Sequence, residues 1–313
     1  MAFVHLHNHT EYSLLDGLTH IKDMVRRAAE LDMPAVAVTD HGVMSGMVEL
    51  SDACDAVEKE TGKRVKPIFG CEVYFTPDES LRKDVKPKLY HLLLLAKNNE
   101  GYHNLLKLVS ESHVDNFYYK PRTTFSMLQK YGHGIIGSSA CIAGVIPKLL
   151  DERRFDDAVE WARKFASCFD EGDFYIELQN QGIRTDAGFT QTELNHELTR
   201  VAKAAGLKTI ATNDFHYLLK EDAEAQDIML CIGTGSTVNQ TNRMKDVYKR
   251  QCESTSPRRG ALISGTETAY SRYRLLLIAG TKPGDRWYRE RLLLKFFQWM
   301  RDTHGLDYGE IEF

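Results

Sequence analysis

Short runs of β-forming residues alternate with amphipathic helical runs from the N-terminus to about Gly235, and this alternation limits the fold more than any other feature. It predicts seven strands, at Phe3–His9, Ala35–Asp40, Lys66–Phe75, Tyr90–Ala96, Gly134–Ser139, Phe174–Leu178 and Thr209–Asn213. Helical stretches lie between them, including Ile21–Leu31, Tyr102–Ser110, Asp156–Phe169 and Thr192–Ala205. Repeated βα units with short apolar strands favour a parallel sheet covered by helices. Seven such units favour closure of the sheet into a barrel.

The alternation stops after Met244. The stretch Lys245–Pro283 has no clear period, and Trp287–Arg301 is an aromatic and basic run of helical character. Neither stretch has the pattern of a further βα unit. We therefore divide the chain into a domain at residues 1–244 and an unassigned tail at residues 245–313. Our hypothesis is that this tail is non-native or chimeric sequence.

Several features of the composition exclude classes of protein. No segment approaches the roughly 20 apolar residues that a membrane-spanning helix needs, and the start MAFVHLHNHTEYS lacks the features of a secretory signal. Six widely spaced cysteines without a CxxC pair argue against a disulfide framework and a zinc ribbon. We expect a cytoplasmic protein without a membrane partner. The formal net charge of −4 means that any nucleic acid would be held by local groups, metals or another domain.

Two pairs of polar residues carry the main chemical signal. His7 and His9 lie two positions apart in the first predicted strand, and Asp214 and His216 repeat that spacing after the last one. Side chains at i and i+2 share one face of a strand, so each pair is aimed in one direction. We predict that these four residues form the catalytic core of a metal site.

Other ligand-type residues stand near the ends of intervening strands. Strand ends converge on one face of a βα barrel, where such folds place their active sites. The imidazole and carboxylate mixture, with one thiol, suits zinc, manganese or iron better than calcium or magnesium. One ion cannot use so many ligands, so we predict two or three divalent ions, suited to phosphoester chemistry. The full set is His7, His9, Asp16, His41, Glu72, His91, Cys141, Asp214 and His216, of which His91 departs from the pattern because it begins its strand.

Each of these residues has a simpler explanation when it is taken alone. A single histidine on a strand is more often a hydrogen-bonded core residue than a ligand, and Asp16-Gly17 alone is an ordinary turn. Cys141 alone would be a small buried residue. The two spaced pairs at opposite ends of one βα series outweigh these explanations.

The motifs that contain these residues closely resemble the PHP (polymerase and histidinol phosphatase) domain, in the version found in the bacterial DNA polymerase III alpha subunit. The resemblance covers about Ala2 to Met244 and implies a distorted seven-stranded (β/α)7 barrel with a trinuclear metal site formed by the nine residues above. The matching stretches are HLHNHTEYSLLDG at 5–17, TDHG at 39–42, KPIFGCEVY at 66–74, YHLLLLAKN at 90–98, FYYKPR at 117–122, SSACIAG at 138–144 and ATNDFHY at 211–217.

The resemblance implies a function in DNA replication. We expect a metal-dependent phosphoesterase of the 3′→5′ exonuclease type that acts on a DNA primer terminus, with other replisome subunits as partners of the full-length protein. Two alternatives stay open, a free-standing phosphomonoesterase of the histidinol phosphatase kind and a metal-stabilised scaffold without catalysis. The carboxylates that catalyse nucleotide addition belong to polymerase domains and are not recognisable in this chain.

One further motif suggests a contact with substrate. Tyr118 and Tyr119 provide stacking surfaces, and Lys120 and Arg122 provide two cations. We predict that Tyr119, Lys120 and Arg122 bind a terminal nucleotide and its phosphate. The alternative, which we weigh equally, is a structural loop in which the tyrosines pack against neighbouring residues and bind no substrate.

Overall fold

The computed structural model describes residues 3–241, so the predicted tail at 245–313 lies outside the described residues. Within 3–241 the strands are β1 Ala35–Val38, β2 Lys66–Phe75, β3 Tyr90–Ala96, β4 Phe117–Tyr118, β5 Lys120–Thr123, β6 Ile135–Ser138, β7 Phe174–Leu178 and β8 Lys208–Ala211. The helices are α1 Ile21–Glu30, α2 Met47–Thr61, α3 Asn99–Val114, α4 Phe125–Tyr131, α5 Val145–Asp151, α6 Phe155–Ala166, α7 Gln191–Ala205 and α8 Ala223–Thr234, with a 3-10 turn at Lys220–Asp222. None of the helices in this part of the chain is both long and apolar enough to cross a membrane.

The strands form one mixed sheet in the order β4-β5-β2-β3-β6-β7-β8, and β1 pairs with β2. Parallel pairing joins β1 to β2, β2 to β5, β6 to β7 and β7 to β8. β3 runs antiparallel to both of its neighbours, β2 and β6. The expectation of a parallel sheet is therefore wrong at β3 and at the antiparallel β4–β5 pair. Residues 76–89 join β2 to β3 without a helix, whereas a parallel return would need a long crossover.

The predicted first strand, Phe3–His9, is an extended segment held by single bridges instead of a continuous ladder. His5 bridges Val36 of β1 and Asn8 bridges Phe215, which follows β8. The backbone N–H of His9 also donates to the carbonyl of Phe215 at 2.9 Å. The segment thus lies between the two ends of the curled sheet. It completes the distorted seven-membered barrel together with β1, β2, β3, β6, β7 and β8.

A small apolar core fills the inside of this barrel. Each of the seven members contributes at least one buried side chain to it, which is what a closed sheet requires. The residues are Val4, Leu6, Ala35, Ala37, Ile68, Leu95, Ile136, Tyr175 and Ile210. The polar residues of the candidate site lie at one end of this core.

A second apolar layer packs helices α3 to α7 against the outside of the sheet. Phe75, Phe165 and Phe174 are among its largest fully buried side chains. The Phe75 and Phe165 rings meet edge to face with centroids 5.0 Å apart. Burial of one such ring contributes about 1.5–3 kcal/mol. This layer holds the strands that carry the site in fixed positions.

Helix α7 shows how local sequence sets the ends of these helices. Thr190 accepts a hydrogen bond from the backbone of Glu193, and the Glu193 carboxylate accepts one from the backbone of Thr190. This capping box satisfies two N–H groups that the first turn leaves open. The helix ends at Gly206, whose φ of 72° suits a residue without a Cβ.

Candidate metal centre

The two predicted residue pairs meet at one end of the barrel, around the carboxylate of Glu72. His7 Nε2 lies 3.2 Å from Glu72 Oε1, and His9 Nε2 lies 3.4 Å from Glu72 Oε2. Asp214 Oδ1 approaches the same two nitrogens, at 3.4 Å from His7 and 3.2 Å from His9. His7, His9, Glu72 and Asp214 are all buried. They form the floor of the centre.

Asp16, His41 and His216 form a second group beside this floor. Asp16 Oδ2 lies 2.8 Å from His41 Nε2 and 3.0 Å from His216 Nε2. The other ring nitrogen of His41, Nδ1, lies 2.8 Å from Glu72 Oε2. Glu72 therefore connects the second group to the floor. The side chains of Asp16 and His41 are partly exposed, so this group faces the surface.

His91 and Cys141 complete the cluster on a third side of Glu72. His91 Nδ1 lies 3.0 Å from Glu72 Oε1, and Cys141 Sγ lies 3.7 Å from the same oxygen. Because β3 runs antiparallel, its first residues lie at the edge where the parallel strands end. This direction explains how His91 reaches the site although it begins its strand. All nine predicted ligands thus lie in one cluster, and their role as ligands stays a prediction.

The donor atoms of the cluster fit metal ions. Three sets each have ligand atoms within 4.8 Å of one another, namely His7 with His9 and Asp214, His9 with Asp16, His41 and His216, and His41 with Glu72 and His91. Among the buried atoms, His7 Nε2, His9 Nε2 and Glu72 Oε2 make no hydrogen bond. Buried polar atoms rarely lack a partner unless an ion or water supplies one. Imidazole nitrogens directed at shared carboxylates are the donor set that transition metals prefer.

A buried carboxylate behind His7 sets the orientation of its ring. Glu177 Oε1 lies 2.7 Å from His7 Nδ1. Ser138 and Thr212 donate their hydroxyls to the Glu177 carboxylate, and Gln179 donates its amide at 2.8 Å. Since a carboxylate only accepts, Nδ1 carries a proton, and Nε2, which faces Glu72 and Asp214, is the nitrogen that a neutral ring offers to a metal ion.

A second, longer relay orients His9. Its Nδ1 lies 3.0 Å from Ser13 Oγ, and that hydroxyl donates to Asp40 Oδ1 at 2.8 Å. The hydroxyl therefore accepts from His9, whose proton is placed on Nδ1 and whose lone pair is on Nε2. Asp40 is buried and also accepts from the backbone and hydroxyl of Thr10. Both histidines of the first pair thus direct their Nε2 atoms at the same two carboxylates, those of Glu72 and Asp214.

Charge coupling keeps the carboxylates of the cluster ionised. Burial raises the pKa of Asp16 and Glu72, but the surrounding imidazoles outweigh burial and hold the pKa of both carboxyls well below the usual range. Burial likewise lowers the pKa of His41, yet Glu72 and Asp16 raise it to about 9. Ionised carboxylates in a buried cluster attract cations.

Four residues that support or border the centre are not among the predicted site residues. Glu177, Ser13 and Asp40 form the two relays behind His7 and His9, and Tyr74 shares a face of β2 with Glu72. The Tyr74 ring stacks on His41 with centroids 5.8 Å apart and meets His91 edge to face at 5.6 Å. Glu177 carried a usable signal, because it is a carboxylate next to the end of a strand.

The structure separates the three predicted substrate-binding residues. Tyr119, with a φ of 61°, is exposed at the tip of the β4–β5 hairpin, and Lys120 is exposed beside it. Arg122 is buried, and its guanidinium donates to the carbonyls of Asn116, Arg82 and Leu81 at 2.8–2.9 Å. This arrangement fits a structural role for Arg122 better than the predicted contact with a phosphate.

The chain is similar in sequence to the alpha subunit of DNA polymerase III from several bacteria. The DNA polymerase III subunit alpha of Borreliella burgdorferi is 42% identical over 246 residues, which cover 78% of this chain and 20% of that protein. The same subunit of Helicobacter pylori is 40% identical over 254 residues, with the same coverage. The chain thus spans about a fifth of the length of these curated relatives.

Among solved structures, an amidohydrolase from Chromobacterium violaceum aligns with a TM-score of 0.40 and 15% identity, over 71% of this chain and 89% of that one. A similarity of this size supports no conclusion. The PHP domain family, in contrast, matches residues 5–181, a range that holds seven of the nine clustered residues, from His7 to Cys141. Because this match takes in more than half of the 313 residues, the chain belongs to the PHP domain family.

Proposed function

We propose that residues 1–244 form the PHP domain of a bacterial replicative DNA polymerase and hydrolyse phosphodiester bonds at a DNA primer terminus, in the manner of a 3′→5′ exonuclease. The observation that carries this proposal is the cluster around Glu72, in which buried imidazole nitrogens face shared carboxylates without a hydrogen bond. The homology to DNA polymerase III alpha subunits supports the replicative setting. Other replisome subunits and a cytoplasmic location belong to the same proposal.

Two or three divalent ions of zinc, manganese or iron would occupy the cluster. His7, His9 and Asp214 would hold one ion, His41, Asp16 and His216 a second, and Glu72 with His91 and Cys141 a third. Such ions activate water and stabilise negative charge on a phosphoryl group. The Cys141 thiol favours zinc or iron over manganese at the third position.

The chain's own residues would orient the reaction. Glu177 and the Ser13–Asp40 relay hold the His7 and His9 rings in one tautomer, so their lone pairs need no rearrangement. The buried floor excludes water from one side of the centre. Asp16, His41 and His91 keep 16–24% of their side chains exposed, so a phosphodiester would approach from their side.

A primer digestion combined with elemental analysis tests the proposal. The full chain, purified without chelator, should contain two or three transition-metal ions and shorten a labelled primer from its 3′ end. The variant His9→Gln should lose both properties, whereas His103→Gln, on the exposed face of α3, should keep them.

Other outcomes identify the alternatives. Hydrolysis of histidinol phosphate without primer digestion would favour a free-standing phosphomonoesterase. Full metal content without hydrolysis of any phosphoester would favour a metal-stabilised scaffold. One ion or none at saturating metal would contradict the multinuclear centre itself.

A further inference from the structure

A short hairpin of β4 and β5 borders the exposed side of the metal centre. Lys120 Nζ lies 5.1 Å from the centroid of the Tyr74 ring, and Tyr74 in turn contacts the rings of His41 and His91. A single aromatic ring therefore separates the Lys120 cation from two candidate ligands. We use the term hairpin rim for Tyr74, Phe117, Tyr119 and Lys120.

The hairpin rim combines open aromatic surface with an uncompensated cation. Phe117 is 48% exposed and Tyr119 is 65% exposed, although Phe117 stacks on His113 and Tyr119 meets Tyr118 edge to face. Within residues 3–241, no carboxylate lies at ion-pair distance from Lys120, whose cation lies over the Tyr74 ring. The rim is thus complementary to a ligand that carries both planar rings and negative charge.

Arg122 fixes this rim in place from below. Its three donor nitrogens bond the carbonyl of Asn116, directly before β4, and the carbonyls of Leu81 and Arg82, in the connection after β2. One buried guanidinium therefore ties the hairpin to the neighbouring β2–β3 connection. Bonds from a charged donor are stronger than those between neutral groups, so these three hold the hairpin firmly.

We propose that the hairpin rim binds the terminal nucleotides of single-stranded DNA, with Lys120 on a backbone phosphate, the exposed rings on the bases and Arg122 as the positioning residue beneath. Aromatic rings with an adjacent cation are the usual means of holding single strands, because bases of a duplex are already stacked on one another. The inference rests on the proposed function and adds its substrate class. Arg122, which the sequence predicts as a substrate contact, would instead hold the hairpin in position.

Binding of a short oligothymidylate with a terminal phosphorothioate linkage, followed by fluorescence anisotropy in the full chain, tests the rim. Tyr119→Ala should weaken binding about 5-fold to 150-fold, the range for loss of one stacked base. Lys120→Ala should reduce the slope of log affinity against log salt by about 0.7, the value for one phosphate contact on a single strand. Lys203→Ala, at the exposed end of α7, is the matched control and should change neither.

Arg122→Lys tests the supporting role separately. It should weaken oligothymidylate binding and also speed proteolytic cleavage within residues 76–89, which a substrate contact alone would not do. Unchanged affinity and salt slope in both Tyr119→Ala and Lys120→Ala would overturn the proposal, and a protein partner would then be the better occupant of the exposed rings.

Hydrolysis of p-nitrophenyl phosphate separates this proposal from the proposed function. Hydrolysis of that small ester by the wild-type chain reports on the metal centre, and the control Lys203→Ala should hydrolyse it at the wild-type rate. If the wild-type chain hydrolyses no phosphoester, the proposed function fails, while weaker oligothymidylate binding by the variants still supports the rim. If hydrolysis is normal and binding is unaffected, the rim alone is refuted.

Discussion

The substitution Glu177→Gln tests whether the buried carboxylate behind His7 tunes the metal centre. Four donors converge on Glu177, from His7, Ser138, Thr212 and Gln179. A glutamine keeps one acceptor oxygen but loses the charge, and its NH₂ group would face groups that are already donors. Loss of such an outer partner typically lowers metal affinity 10-fold to 100-fold. This range corresponds to about 1.4–2.7 kcal/mol.

The same loss should appear in thermal stability, because an ion that binds only the folded state adds its binding free energy to folding. With saturating metal we expect the melting temperature to fall by roughly 3–10 °C relative to the wild-type chain, using the usual 2–4 °C per kcal/mol for a domain of this size. Competition with a chromogenic zinc chelator measures the affinity, and calorimetry measures the melting. Glu171→Gln, exposed just before β7, is the control. Wild-type metal affinity in Glu177→Gln would refute the orienting role of the His7–Glu177 bond.

Three further predictions concern the cluster and the domain boundary. Asp214→Asn should remove about one ion per chain by elemental analysis, since Asp214 offers a ligand atom in only one of the three sets, the one with His7 and His9, whereas Asp52→Asn at an exposed position of α2 should remove none. Metal affinity should weaken steadily as the pH falls below about 9, because the carboxylates raise the pKa of His41 to about 9 and protons then compete with the metal for its ring nitrogens. A metal affinity that does not change between pH 6 and pH 8 would contradict this prediction. A chain that ends at Met244 should keep its metal content, because every predicted ligand precedes that point; aggregation or metal loss would show that residues 245–313 belong to the domain.

Strand bounds were most predictable from the sequence where an apolar run ends abruptly at polar or turn-forming residues. The strands at Lys66–Phe75, Tyr90–Ala96 and Phe174–Leu178 were predicted with the bounds that the structure has. Each is a run of buried residues that ends at polar or turn-forming residues, so periodicity and local propensity agree. The spacing of the two residue pairs indicated one shared site, and the structure places all nine predicted ligands together.

Other features depend on contacts that a linear pattern does not contain. The direction of β3 follows from a helix-free connection, and the pattern of apolar residues is the same for either direction. The role of Arg122 depends on three carbonyls, two of which lie 40 and 41 positions earlier in the chain. The hairpin itself has strands of two and four residues, too short for a period to be recognised.

The closeness of Asp16 and His216 limits when the centre can form during synthesis. Their side chains meet although they are separated by 200 positions in the chain. Contacts of such separation form late, because loop closure must be completed before they contribute any stability. A nascent chain shorter than about 216 residues therefore lacks part of every group that contains Asp214 or His216. Capture of the ions that need Asp214 or His216 should accordingly follow the synthesis of β8, whereas the set of His41, Glu72 and His91 can be complete earlier.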